Sequence, residues 1–189
     1  MNPIVWILGR RSGTSSMAKA LYDQGFPLTG PLNTKPYAAQ PEGHYENQDI
    51  LNIHDALFAA HNFKPWSCGI LPFRPMPALN EWLKAHPEPL LLKVPSIAQA
   101  WPVWASMTTR PVYLMRCTRS KREQIDSMVR RYNLDEHTAA GIIELYEGSY
   151  DWMERHYGAA ARLPLTDGRR VETAMEFLQR WGLRAREAA

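Results

Sequence analysis

The chain has 189 residues, of which 45% are hydrophobic and 22% charged, a composition suited to one globular domain with a sizeable core. The formal net charge of +3 fits an anionic ligand as well as it fits nucleic acid, and no apolar run approaches the roughly eighteen residues of a membrane span. Cys68 and Cys117 lie far apart without metal-ligand spacing and read as reduced thiols of a cytoplasmic protein, with no cleavable leader pattern at the N-terminus. From Pro3 to Leu8 the sequence is a nearly continuous apolar run, as expected of a strand covered on both faces. Thr14 to Gln24 reads as a helix, with Gly25 in place to end it. Pro27, Pro31, Pro36 and Pro41 mark a long loop.

Asn47 then caps a helix through about Ala60, with Ile50, Leu51, Ile53, Leu57 and Phe58 on its buried side. A loop rich in Pro, Trp and Phe covers 61–77, and a helix over 78–86 leads to the strand LLLKV at 90–94. A tryptophan-rich helix follows, then the strand VYLMR at 112–116. Helices are expected over 121–132 and 136–156, the second with Ile142, Ile143, Tyr146, Tyr150 and Met153 in line. A short strand at 161–165 precedes a last helix carrying Val171, Met175, Leu178 and Trp181. Strands alternating with helices predict a three-layer α/β/α domain with a parallel sheet. Such sheets bind ligands at the carboxyl ends of their strands.

The segment GRRSGTSS sits at such an end. Backbone N–H groups at the start of the helix favour a phosphate or sulfate there, and Gly9 and Gly13 let the backbone come close. Ser12, Thr14, Ser15 and Ser16 add hydroxyls, and Arg10 and Arg11 add charge. A Walker A loop requires G-x-x-x-x-G-K-[S/T]. Here Gly9 and Gly13 are one residue too close, Thr14 stands in the lysine position, and no acid closes LLLKV or VYLMR to help hold a magnesium ion. Downstream, VYLMRCTRSKREQIDSMVRRY places Arg116 at a strand end and Ser127 on the following helix, a candidate second phosphate site. EGHYENQDILNIHDAL sets Glu42, His44 and Glu46 just before a helix.

Together these segments resemble the sulfotransferases that use 3′-phosphoadenosine 5′-phosphosulfate. The family's first motif resembles P-[R/K]-S-G-T-[S/T], and this chain has Arg10-Arg11-Ser12-Gly13-Thr14-Ser15, departing at the proline. The resemblance implies a P-loop-like fold spanning about residues 3–183. It also implies the nucleotide as co-substrate, no metal, and a small-molecule acceptor. Arg11 takes the family's basic position beside the 5′-phosphosulfate, and Arg10, Ser12, Gly13, Thr14 and Ser15 complete the loop. The family's 3′-phosphate pair is an arginine with a serine about eight residues on. Arg116 ends the strand but lies eleven residues before Ser127, whereas Arg119 has the eight-residue spacing, so both arginines stand as candidates. LLLKVPSIAQAWPVW resembles a Lys-Asp-Pro-Arg segment of bacterial members, with Val94 and Ser96 replacing the acid and the arginine.

For the catalytic base, the resemblance offers Glu46 in GHYEN as the best match and His44 as the alternative, since histidine titrates near neutrality. Ser16 takes the place of the adenine-stacking tryptophan found after the first motif, leaving Tyr146 or Tyr150 as candidate aromatic faces. The chain ends just after EFLQRWGL, where larger members continue into a loop that helps hold the 3′-phosphate. Loops 27–46 and 61–77, with Tyr37, Phe63, Trp66 and Phe73, are expected to shape the acceptor pocket. The rival readings are a P-loop kinase-like phosphotransferase and a non-catalytic nucleotide-binding module. Nucleic acid is the weaker explanation of the arginines in 116–131, which fit a phosphate site and a solvated helix face.

Overall fold

Successive residues of the first strand face opposite sides of a sheet, and in this chain both sides are apolar. The computed structural model describes residues 1–35, 43–62, 70–71, 75–158 and 160–186. Its strands are β1 (Ile4–Leu8), β2 (Leu32–Asn33), β3 (Glu46–Asn47), β4 (Leu90–Leu92), β5 (Val112–Thr118) and β6 (Ala160–Pro164). Its helices are α1 (Thr14–Asp23), α2 (Gln48–Ala60), α3 (Pro77–Ala85), α4 (Ile97–Met107), α5 (Lys121–Tyr132), α6 (Glu136–Tyr157) and α7 (Arg170–Arg180). Four strands form one parallel sheet in the order β4-β1-β5-β6.

The two-residue period of the strands divides the core in two. Ile4, Trp6 and Leu8 join Leu90, Leu92, Val112 and Leu114 against α2 to α6. Val5 and Ile7 join Leu91, Met115, Cys117 and Leu163 against α1 and α7. The domain is thus an α/β fold with helices on both faces of a parallel sheet, as the alternation of elements predicts. β6 differs from the inner strands: only Ala161 and Leu163 are buried, in keeping with its place at the sheet edge.

Chain order positions the functional end of the sheet. The chain leaves β1 to reach β4 on one side, then crosses back from β4 to β5 on the other. The carboxyl end of β1 is therefore a topological switch point, where such sheets leave a crevice. Two local features support this edge. The region expected to be only loop contains a small antiparallel pairing of β2 with β3, and the Asn33 carbonyl accepts from the backbone N–H groups of His44 and Tyr45. Asn47 caps α2 as expected, its side chain accepting from the Ile50 N–H at 2.8 Å. In α4, Pro102 cannot donate to the carbonyl of Ala98, and the Ser149 hydroxyl of α6 donates to it instead. That bond keeps a proline tolerable in a buried helix and ties α4 to α6. Among the described residues no helix is long and apolar enough to cross a membrane.

Candidate functional site

The turn between β1 and α1 is wound tightly, with Gly9 at φ 135°, Arg11 at φ 56° and Gly13 at φ 77°. A Cβ on Gly9 would lie 2.5 Å from the Cys117 carbonyl oxygen, and one on Gly13 would lie 2.6 Å from Leu165 Cδ1. Both positions therefore demand glycine on steric as well as torsional grounds. Arg11 occupies the left-handed region without that freedom, at a cost of order 1 kcal/mol. Its side chain is fixed across the crevice, where Nε donates to Ser127 Oγ at 2.8 Å. The N-cap of α1 is Gly13, which makes no side-chain capping bond, and a first turn left without one suits an anion.

The hydroxyls divide into two groups. Ser12 is buried and donates to the Arg10 carbonyl at 3.1 Å, and Thr14 Oγ1 donates to the Gly9 carbonyl at 3.4 Å. Both bonds hold the loop in shape; Ser12 is shut away from the cavity, whereas Thr14 also lines it. Ser15 lines the cavity and accepts from Lys93.

Cations surround the loop. Arg10 lies beneath two tyrosines, its guanidinium carbon 4.9 Å from the Tyr146 ring centre and 5.9 Å from that of Tyr132. Arg11, Lys93 and Arg131 line a cavity of about 250 Å³ in front of the loop. Burial lowers the Arg11 pKa, and the charges of Arg131, Arg10 and Arg119 lower it further. Like charges held this close create the positive potential that draws in an anion.

Lys93 follows β4 directly and is almost fully buried. Its Nζ donates to Glu46 Oε1 at 2.6 Å, to the His44 carbonyl at 2.9 Å and to Ser15 Oγ at 3.2 Å. Burial alone would raise the Glu46 pKa, but the hydrogen bond from His44 and the charge of Lys93 outweigh it and hold the carboxyl at about 2. His44 Nδ1 stands 3.4 Å from the same Glu46 oxygen. Burial depresses Lys93 itself, against the pull of Glu46. Both His44 and Glu46 reach the cavity, carried there by the β2–β3 pairing.

The two arginines left open by spacing have different surroundings. Arg116 points to the α6 side of the sheet, donating to Glu147 and Asp151 at 2.6 Å each and to Glu154 at 2.9 Å. Strand alternation explains the direction, since Arg116 pairs with Leu8 and shares its face. It is absent from the cavity lining and is held by these three carboxylates, the geometry of a structural clamp. Arg119 is also absent from that lining and donates to Glu123 Oε1 at 3.3 Å, but its charge acts on Arg11, which itself holds Ser127. The aromatic expectation also shifts. Tyr150 is fully buried and away from the cavity, whereas Tyr146, though only 2% exposed, lines it together with Tyr132, which the sequence had not singled out. Tyr37, Phe63, Trp66 and Phe73 lie outside the described residues.

Sequence reasoning assigned no role to Lys93, Asp55 or Ser96 and took Arg131 only as part of the arginine-rich segment 116–131. Arg131 carried a usable signal, one helical turn beyond Ser127 on the same face of α5. Lys93 carried another, as a lone charge at the end of an apolar strand.

No family model matches the sequence, and no curated protein matches it. Solved structures do. The sulfotransferase domain of the Synechococcus PCC 7002 olefin synthase matches with a TM-score of 0.55 at 17% identity, over 98% of this chain and 75% of that one. The likeness is one of fold. The deoxyadenosine kinase from M. mycoides, solved with bound dATP, matches at 12% identity with a TM-score of 0.48, over 95% of this chain and 100% of that one.

Proposed function

We propose that this chain is a sulfotransferase, moving a sulfuryl group from 3′-phosphoadenosine 5′-phosphosulfate to an acceptor hydroxyl or amine. The observation that carries the reading is the pair of cations set around a loop that lacks the Walker lysine. Arg11 is anchored on Ser127 from one side, and Lys93 reaches Ser15 from the other. Lys93 follows β4, where a metal-assisted phosphotransferase would favour an acid. The nucleotide's anionic groups fit the uncapped first turn of α1 and the arginines around it.

When bound, the nucleotide supplies the sulfuryl group and a leaving phosphate. The loop amides, Arg11 and Lys93 oppose the negative charge that develops between them. Arg119 and Ser127 bind the second phosphate, with Arg131 adding charge at the cavity wall. A carboxyl held at about 2 is a weak proton acceptor, so Glu46 serves as an ionised anchor for Lys93 and His44. By accepting from His44 Nδ1, Glu46 leaves Nε2 to take the acceptor's proton.

The test is transfer of labelled sulfuryl group from the nucleotide to a panel of hydroxyl and amine acceptors, with and without EDTA. Transfer that persists in EDTA is expected. Phosphoryl transfer from magnesium ATP would replace this reading with the kinase-like one. Nucleotide binding without any transfer would leave a binding module.

A further inference from the structure

One wall of the cavity differs from the loop side. It is built from Leu51, Asp55 and Phe58 of α2 and Pro95 and Ser96 of the β4–α4 turn. Behind it lies a chain of buried hydrogen bonds that the transfer chemistry above does not use. Trp104 Nε1 donates to His54 Nε2 at 2.9 Å, and His54 Nδ1 lies 2.7 Å from Ser96 Oγ. An indole nitrogen can only donate, so His54 Nε2 must accept and its proton must reside on Nδ1. His54 and Trp104 are each 1% exposed, and the imidazole is kept neutral by burial, which lowers its pKa to about 3. The chain therefore runs one way, from Trp104 through His54 to Ser96. This direction excludes His54 as a base acting on Ser96, because the nitrogen facing the hydroxyl already carries hydrogen.

Ser96 is also excused from an ordinary duty. It is the N-cap of α4 yet makes no capping bond. The N–H groups of Ile97 and Ala98 are already satisfied by the carbonyls of Val94 and Pro95. Its oxygen receives the His54 proton, and among the described residues its own hydroxyl hydrogen has no acceptor. We propose that Ser96 is the hydrogen-bond donor that recognises the acceptor substrate, and that the acceptor is a neutral or cationic hydroxyl compound with an apolar skeleton. The surroundings set that class. Leu51, Phe58 and Pro95 offer apolar surface, and Asp55, which forms no ion pair among the described residues, repels a second anion on this wall. Calling this ligand the acceptor rests on the sulfotransferase reading.

Three probes isolate the claim, because phenol, tyramine and 4-hydroxyphenylacetate share one hydroxyl and differ in charge. Their affinities are measured by NMR on the full chain, with and without adenosine 3′,5′-bisphosphate, using 15N-histidine and the Trp104 indole signal. The expected order is tyramine tightest and 4-hydroxyphenylacetate weakest, with His54 protonated on Nδ1. Ser96→Ala should weaken tyramine by about 3- to 10-fold, and Ser96→Thr should restore it. Asp55→Asn should erase the charge preference. Unchanged affinity in Ser96→Ala, tightest binding of the carboxylate, binding of none of the three, or a proton on His54 Nε2 would each overturn the proposal. Ser96-dependent binding of tyramine by a chain that ignores the bisphosphate would uphold the subsite and remove the nucleotide reading instead.

Discussion

Arg10 and Arg11 are neighbours in sequence with different physical situations. Arg10 is packed against the rings of Tyr146 and Tyr132, while Arg11 crosses the crevice to Ser127 in a strained backbone conformation. Arg11→Ala should therefore lower kcat by roughly 10²–10³-fold, as loss of an oxyanion donor does. Arg10→Ala should act mainly on stability, through lost stacking and packing. Steady-state kinetics and chemical denaturation of both variants check this, and a larger kcat loss for Arg10 would reverse the assignment. Glu46 and His44 divide in the same manner. The folded Glu46 carboxyl at about 2 lies below its ordinary value of about 4.3. Its contribution to stability is thus present above that ordinary value and is lost as pH falls through about 2. The stability gap between the wild type and Glu46→Gln should be widest above about pH 5 and shrink toward pH 2, as urea unfolding across that range would show. His44→Ala should lose about 10²–10⁴-fold in kcat with nucleotide affinity unchanged, and added imidazole should recover part of it. Full turnover in His44→Ala would remove the base from this segment. The sequence placed both groups before α2, but not the lowering of the Glu46 pKa. That lowering comes from the hydrogen bond of His44 and from Lys93, nearly fifty residues away in the chain.

At the scale of elements, most of the fold was readable because local signals agree with the tertiary outcome. The apolar run of β1, the Asn47 cap and the spacing along α6 each survive in the structure. What failed to show was the direction of a strand-end side chain. Arg116 and Arg119 look alike as letters, but the period of β5 sends Arg116 to α6, while Arg119 follows the strand in the loop before α5. The three carboxylates that receive Arg116 are spaced along one face of α6, at i, i+4 and i+7, a pattern that reads equally well as solvated surface. Their hydrogen bonds raise the Arg116 pKa against the effect of its burial. Arg116→Met should leave three like charges facing one another. The cost should be about 2–3 kcal/mol, below the 3–5 kcal/mol of a fully buried pair because the carboxylates are partly exposed. Its affinity for adenosine 3′,5′-bisphosphate should be unchanged. Arg119→Ala should do the opposite, costing about 1.5–3 kcal/mol in bisphosphate affinity and hardly altering that for AMP. Calorimetric titration of both variants with both nucleotides separates clamp from ligand, and selective loss in Arg116→Met would restore the strand-end arginine to the phosphate site.

At the scale of the whole molecule, the site joins elements that are distant in sequence but meet at one sheet edge. Loop β1–α1 supplies the amides and Arg11, the turn before α2 supplies His44 and Glu46, β4 leads into Lys93, and α5 supplies Ser127 and Arg131. An anion bound there would tie these segments together and offset the repulsion among the arginines, so binding should be visible as global stabilisation. At a bisphosphate concentration about 100 times Kd the gain should be about 2.7 kcal/mol. For a chain of this size that corresponds to a rise in Tm of roughly 5–11 °C. Magnesium ATP should give a smaller rise, since it lacks the 3′-phosphate and the loop lacks the Walker lysine. The same comparison in Arg11→Ala should reduce the bisphosphate shift, while Arg116→Met should start from a lower Tm and keep its full increment. A larger shift with magnesium ATP than with the bisphosphate in the wild type would count against the sulfotransferase reading and favour a phosphotransferase.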